Sequence, residues 1–65
     1  MSVASYSLDQ AAQTISDTMA AGVSVDLEAA SQGLGYGSFA DAVNAYNEQY
    51  GTNYTVESAK EALGQ

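Results

Sequence analysis

Apolar positions in this chain recur at helical spacing, in segments that begin at hydroxyl or acidic residues and end at glycine. The clearest segment, residues 38–51, sets one apolar stripe against a polar face, as in an amphipathic helix. The stripe comprises Phe39, Ala42, Val43, Tyr46 and Tyr50. The polar face comprises Asp41, Asn44, Asn47 and Glu48. We therefore expect the rest of the chain to pack against this stripe.

The first part of the chain predicts a helix over residues 8–21, capped by Ser7. Gln10 lies three residues after Ser7, which is the spacing of a capping box. Gly22 falls where a left-handed residue commonly ends a helix, and Val23 is expected to make the hydrophobic contact that accompanies such an end. The predicted buried face comprises Leu8, Ala11, Ala12, Ile15 and Met19.

Two shorter helices complete the pattern. Ser24 is the predicted cap of a helix over residues 25–32, which Gly33 ends, and Thr55 is the predicted cap of a helix over Val56–Leu63. Glycine recurs at alternate positions from Gly33 to Gly37, which disfavours both helix and strand and predicts the main hinge or tight corner of the chain. The inward residues are expected to be Leu27, Ala30, Val56, Ala59 and Leu63.

These elements predict an all-α fold, a compact bundle of four short helices in one domain over residues 1–65. The expected parts are an N-terminal arm at 1–6, a helical hairpin at 7–33, a glycine-rich hinge at 34–37 and a second hairpin at 38–65. The caps Ser7 and Ser38 are 31 residues apart, and an offset of that size also aligns Ser24 with Thr55. We therefore expect two αα-hairpins related by a pseudo-two-fold axis, with their long helices facing each other.

The net charge of the chain argues against several classes of function. The 65 residues include eight acids and one base, for a net charge of −7. A chain with a single cation cannot neutralise phosphates, so we expect no direct nucleic-acid binding and repulsion from anionic membrane surfaces. The chain has no apolar stretch long enough to span a membrane, and no signal peptide is recognisable, so an intracellular location is the default expectation. A virion component is the alternative setting.

The sequence contains no Cys and no His, which removes thiolate chemistry and the usual zinc ligands. Serine and threonine hydroxyls have no histidine base, and the glycines at 33, 35 and 37 lack the lysine of a phosphate-binding loop. Glu57 and Glu61 share a helix face, as solvated carboxylates commonly do. We therefore predict no enzymatic activity, no cofactor and no metal site.

Tyrosine is the one enriched residue suited to a binding surface, since it is favoured at interface centres. The candidate partner-binding residues are Tyr36, Tyr46, Tyr50, Tyr54, Asp41 and Glu48. With the charge, they predict an acidic protein–protein interaction module, a small regulator or adaptor that docks on a basic protein surface. The alternatives are a structural or virion-type assembly subunit that self-associates, and a nucleic-acid mimic that inhibits a DNA- or RNA-binding protein.

Overall fold

The computed structural model describes residues 7–65, which form four helices and no strand. In chain order the helices are α1 (Leu8–Ala20), α2 (Leu27–Gly33), α3 (Phe39–Tyr50) and α4 (Val56–Leu63). The predicted all-α bundle is confirmed. The predicted N-terminal arm, residues 1–6, lies outside the described residues.

Three of the four helices begin at the predicted caps. The side-chain oxygens of Ser7, Ser38 and Thr55 each accept a hydrogen bond from the backbone N–H three residues later, which satisfies a donor that the helix leaves unpaired. At α1 that donor is the Gln10 N–H, at 3.1 Å. A reciprocal capping box forms at α4, where the Ser58 hydroxyl accepts from the Thr55 N–H at 2.9 Å.

Three helices also end where glycine predicts it. Gly22, Gly51 and Gly64 follow α1, α3 and α4 with φ of 89°, 67° and 100°, in the left-handed region that glycine enters without steric cost. After α1, the Val23 N–H reaches back to the Thr18 carbonyl at 3.2 Å, which completes a Schellman motif. The hydrophobic contact predicted for Val23 is wrong, because its side chain is 56% exposed.

Helix α2 departs from the prediction at both ends. Its cap is Asp26, whose Oδ1 accepts from the Ala29 N–H at 3.2 Å, and not Ser24. A start at Asp26 places Leu27 in the first turn, where it is 5% exposed and belongs to the core. The sequence predicts that Gly33 stops the helix from the position after it, but Gly33 is the last helical residue of α2. The left-handed φ, 98°, falls on Gly35 instead.

The core is small. Leu27, Phe39 and Val43 are buried, with 5%, 5% and 6% of their surfaces exposed. Partly buried side chains from α1, from α4 and from the segment before α2 surround them: Ile15, Met19, Val25, Val56, Ala59 and Leu63. Two of the three buried apolar residues among residues 7–65 come from α3, so the predicted role of its apolar stripe as the centre of packing is confirmed at Phe39 and Val43.

Helices pair across the two halves of the chain. The closest pairings join α1 with α4 and α2 with α3, and α3 also packs on α4. A two-fold rotation that exchanges the halves would map α1 onto α3 and α4 onto α2, so the two strongest pairings are equivalent under it. Among residues 7–65, the α1–α2 pair is not closely packed, so the predicted first hairpin is not a tight antiparallel pair.

Hydrogen bonds fix the connection between α2 and α3. Glu28 Oε1 accepts from the Phe39 N–H at 3.0 Å, which ties the start of α3 to α2. The Tyr36 N–H donates to the Ser31 carbonyl at 3.0 Å, and the buried Ser31 hydroxyl donates to the Leu27 carbonyl at 2.7 Å. These bonds hold the glycine-rich segment 34–37 against α2.

Candidate functional site

Three of the predicted site residues form one aromatic cluster, which we call the tyrosine cluster: Tyr46, Tyr50 and Tyr54. The ring of Tyr46 lies 4.5 Å from that of Tyr50, centroid to centroid, at an interplanar angle of 43°. The Tyr54 ring meets Tyr46 edge-on at 5.8 Å and 68°. Both arrangements fall within the separations that aromatic pairs prefer. Tyr50 and Tyr54 are 38% and 39% exposed, so the cluster presents ring surface to solvent.

Asn47 positions Tyr54 in this cluster. Its Oδ1 accepts from the Tyr54 N–H at 2.8 Å and from the Thr52 hydroxyl at 2.9 Å, and its Nδ2 donates to the Tyr54 carbonyl at 2.8 Å. All three bonds join α3 to the loop before α4. The prediction that Asn47 belongs to an outward polar face is therefore wrong, because its side chain is half-buried against this loop.

Tyr50 links the cluster to α1. Its hydroxyl oxygen accepts from the Asp9 N–H at 3.1 Å, and this bond joins the last residue of α3 to the first turn of α1. The Asp9 N–H is one of the donors that the helix cannot satisfy itself, so Tyr50 serves as an additional cap. Gln49 Nε2 approaches the same hydroxyl at 3.4 Å.

Partial burial raises the pKa of the Tyr46 hydroxyl above its ordinary value of 10.0, because ionisation would place a charge in poorly solvated surroundings. The Asp9 carboxylate adds to the rise in this pKa by charge repulsion, as do the ionised forms of Tyr54 and Tyr50. Tyr46 is therefore a neutral hydroxyl at physiological pH, able both to donate and to accept hydrogen bonds.

The other three predicted site residues lie apart. Tyr36 is half-buried in the α2–α3 connection and makes none of the ring contacts of the tyrosine cluster within residues 7–65. Asp41 lies in the first turn of α3, with its Oδ2 packed against Gly37, at the opposite end of the helix from Tyr50. Glu48 is exposed on α3. The structure thus joins three predicted residues and separates Tyr36, Asp41 and Glu48 from them.

Beside the tyrosine cluster lies an open-sided apolar groove of about 260 Å³, which we call the α1–α3 groove. Its lining comes mainly from the two long helices and from α4. Its main lining residues are Leu8, Ala11, Ala12 and Ile15 of α1, Phe39, Ala42, Val43 and Tyr46 of α3, and Ala59, Ala62 and Leu63 of α4. Residues of both long helices therefore line one groove, while within residues 7–65 α1 and α3 are not closely packed on each other.

Small side chains make up much of the lining of this groove. Five alanines contribute to it, distributed over α1, α3 and α4. A methyl group fills little of the space between two helices, whose axes normally lie 8–10 Å apart. The resulting groove is concave, mostly apolar and open to solvent, as binding sites in proteins commonly are.

Acidic side chains are nearly absent from the lining of the α1–α3 groove. Asp9 is the sole charged residue among the lining residues described, and the eight acids of the chain are all exposed. Five of these eight act as caps or lie in the first turn of a helix, where the helix dipole favours an anion. Much of the acidity therefore serves helix initiation, and it does not form a dense stripe.

Within residues 7–65, no group of three or more acids comes close enough to hold a metal ion, and no helix is long and apolar enough to cross a membrane. Several hydroxyls are engaged within helices, as when the Thr18 Oγ1 donates to the Thr14 carbonyl at 2.8 Å. The site offers apolar surface and tyrosine rings on a chain of net charge −7, and these features suit binding.

Comparison with protein-family models, with curated proteins and with solved structures finds no match for this chain.

Proposed function

We propose that this protein is a non-enzymatic interaction module that binds a basic protein partner through the α1–α3 groove and the adjoining tyrosine cluster. The observation that carries the proposal is the apolar groove, which stays open in a small bundle with three buried apolar residues among residues 7–65. A chain of this size has little apolar surface to spare, so covering the groove would add substantially to its packing. Tyr46 and Tyr54 line the groove, and Tyr50 extends the contact surface beyond it.

A basic partner is favoured by the charge of the whole chain. A net charge of −7 accelerates encounter with cationic surfaces and slows encounter with anionic ones, and salt screens both effects. The same charge opposes close approach of two copies, which makes self-assembly the weaker alternative. Nucleic-acid mimicry is also weaker, because five of the eight acids are spread over the starts of four helices.

Site-specific photo-crosslinking tests this proposal. Benzoylphenylalanine placed at Tyr54, in cells that make the protein, is expected to crosslink one defined protein with a basic surface. The same group at Gln32, which is exposed on α2 and does not line the groove, is the matched control and is expected to give no such product. Equal products from both positions, or none from Tyr54, would contradict a binding role for this surface.

A crosslinked dimer of the protein at Tyr54 would instead support the assembly-subunit alternative. The two readings differ in salt dependence, because added salt weakens binding to a basic partner but relieves repulsion between two acidic copies.

A further inference from the structure

Resting on the proposed function, we infer that the partner segment seated in the α1–α3 groove is a short amphipathic α-helix carrying Lys or Arg on its flanks. The groove identifies such an occupant by its length, by the chemistry of its walls and by the charge around it.

Length comes first. The groove runs along α1 from Leu8 to Ser16, which at 1.5 Å per residue is about 12 Å. Apolar side chains at positions i, i+3 or i+4, and i+7 of a helix span about 10.5 Å, so two turns of an amphipathic helix match the opening. A cavity of about 150 Å³ accommodates benzene, so about 260 Å³ has room for roughly two branched or aromatic side chains.

The walls favour a helix over an extended segment. Both long walls are helices, so their backbone N–H and C=O groups are already paired within α1 and α3. An extended peptide would enter the groove with unpaired backbone groups and find no strand edge to satisfy them. A helix satisfies its own backbone. The alanines, Ala12 and Ala42 among them, leave room for its side chains between the walls.

The negative charge of the protein favours lysine or arginine on the flanks of the bound helix. No cation lines the α1–α3 groove in the described part of the chain, and Asp9, exposed in the first turn of α1, is one of the lining residues. All eight acids are exposed and the chain carries a net charge of −7, so the field that an approaching peptide meets is negative. Lysine or arginine beside the apolar positions would meet favourable potential, whereas an acidic helix, including one from a second copy of this chain, would meet repulsion.

Titration with designed peptides tests the inference. The probe is a peptide of about 14 residues with leucines at i, i+4 and i+7 and lysines on the flanks. One control peptide carries glutamates in place of the lysines, and a second has the lysine peptide's composition in an order without helical spacing. The full-length, ¹⁵N-labelled protein reports binding through its amide shifts, and calorimetry gives the affinity.

We expect the lysine peptide to shift the amides of groove residues such as Ala12, Ala42 and Ala62, and to gain helicity on binding. Ala42→Leu fills the groove and should weaken this binding about tenfold or more, whereas Ala40→Leu, an exposed site on the same helix, should change it less than about twofold. Ala62→Leu blocks the groove from α4 and replaces Ala42→Leu if that variant does not fold.

Two results would overturn the inference of a helical occupant. One is equal binding of the scrambled control peptide, which has the same composition without helical spacing, and the other is equal weakening of binding by Ala40→Leu and Ala42→Leu. Amide shifts in the groove that grow with protein concentration in the absence of peptide would also overturn it, because they would identify a second copy as the occupant. If Tyr54 crosslinks a basic protein while the lysine peptide fails to bind, the helical occupant is wrong and the interaction role stands. If both fail, the proposed function fails with it.

Discussion

Replacing Asn47 by alanine removes the three side-chain hydrogen bonds that hold the α3–α4 loop and seat Tyr54 on Tyr46. Each such bond contributes a net stabilisation of about 0.5–1.5 kcal/mol. Because Tyr54 is exposed and water can replace part of the network, we expect Asn47→Ala to lower the free energy of unfolding by about 2 kcal/mol. That is a large fraction of the roughly 3–10 kcal/mol expected for a 65-residue domain.

The matched control is Asn44→Ala on the same helix, where the side chain is exposed. Both substitutions gain the same helix propensity, so the difference between the two variants isolates the hydrogen bonds of Asn47. Thermal denaturation followed by circular dichroism should show Asn47→Ala melting about 8–16 °C below Asn44→Ala, at about 4–8 °C per kcal/mol for a domain of this size.

A third variant separates the bonds themselves. Asn47→Asp keeps the acceptor for the Tyr54 N–H and the Thr52 hydroxyl but loses the donor to the Tyr54 carbonyl, so its stability should fall between wild type and Asn47→Ala. Proton NMR of the tyrosine rings should show the Tyr54 signals moving toward solvent-exposed values in Asn47→Ala. Melting temperatures of Asn47→Ala and Asn44→Ala within about 2 °C of each other would refute this account of the loop.

Three further predictions test other parts of the structure. Asp26→Ala should cost about 1 kcal/mol by urea denaturation while Ser24→Ala costs almost nothing, and the reverse order would restore Ser24 as the cap of α2. Gly33→Ala should raise the free energy of unfolding by about 0.5–1 kcal/mol because Gly33 is helical. Gly35→Ala should lower it by about 1–2 kcal/mol because Gly35 has a φ of 98°. Equal effects of the two substitutions would contradict this difference in backbone conformation. Tyr46 has a raised pKa, so its stabilising contribution is complete below pH 10.0 and is lost as the pH rises through the folded-state pKa. Tyr46→Phe should therefore lose less stability than wild type on moving to alkaline pH in chemical denaturation, and parallel losses would contradict this origin of the pH dependence.

Local chemistry made the helix ends predictable, and long-range geometry made the groove unpredictable. A left-handed φ after a helix strongly favours glycine, so the left-handed conformations of Gly22, Gly51 and Gly64 can be predicted from the sequence. At α2 two cap-competent residues, Ser24 and Asp26, are two positions apart. The choice between them depends on which start buries Leu27, which is a property of the folded core.

The candidate site was predictable only where the spacing of residues within one helix decides the contact. Spacing of four residues correctly puts Tyr46 and Tyr50 on one face of α3, where their rings meet. Tyr54 joins them only because Asn47 anchors the following loop, and an asparagine in a polar stripe gives no sign of that role. Alanines on the inner faces of α1 and α3 are visible in the sequence, but whether such faces close on each other or stay apart depends on the packing of the whole bundle.

The pairing of α1 with α4 has a consequence for how the molecule assembles. These helices are at least 36 residues apart along the chain, counted from Ala20 to Val56, whereas α2 and α3 are near neighbours in sequence. Loop-closure entropy favours early formation of α2 with α3, and α4 can then add to α3. On a ribosome, the first of these four helices to emerge finds its principal packing partner only when the last of them has been made.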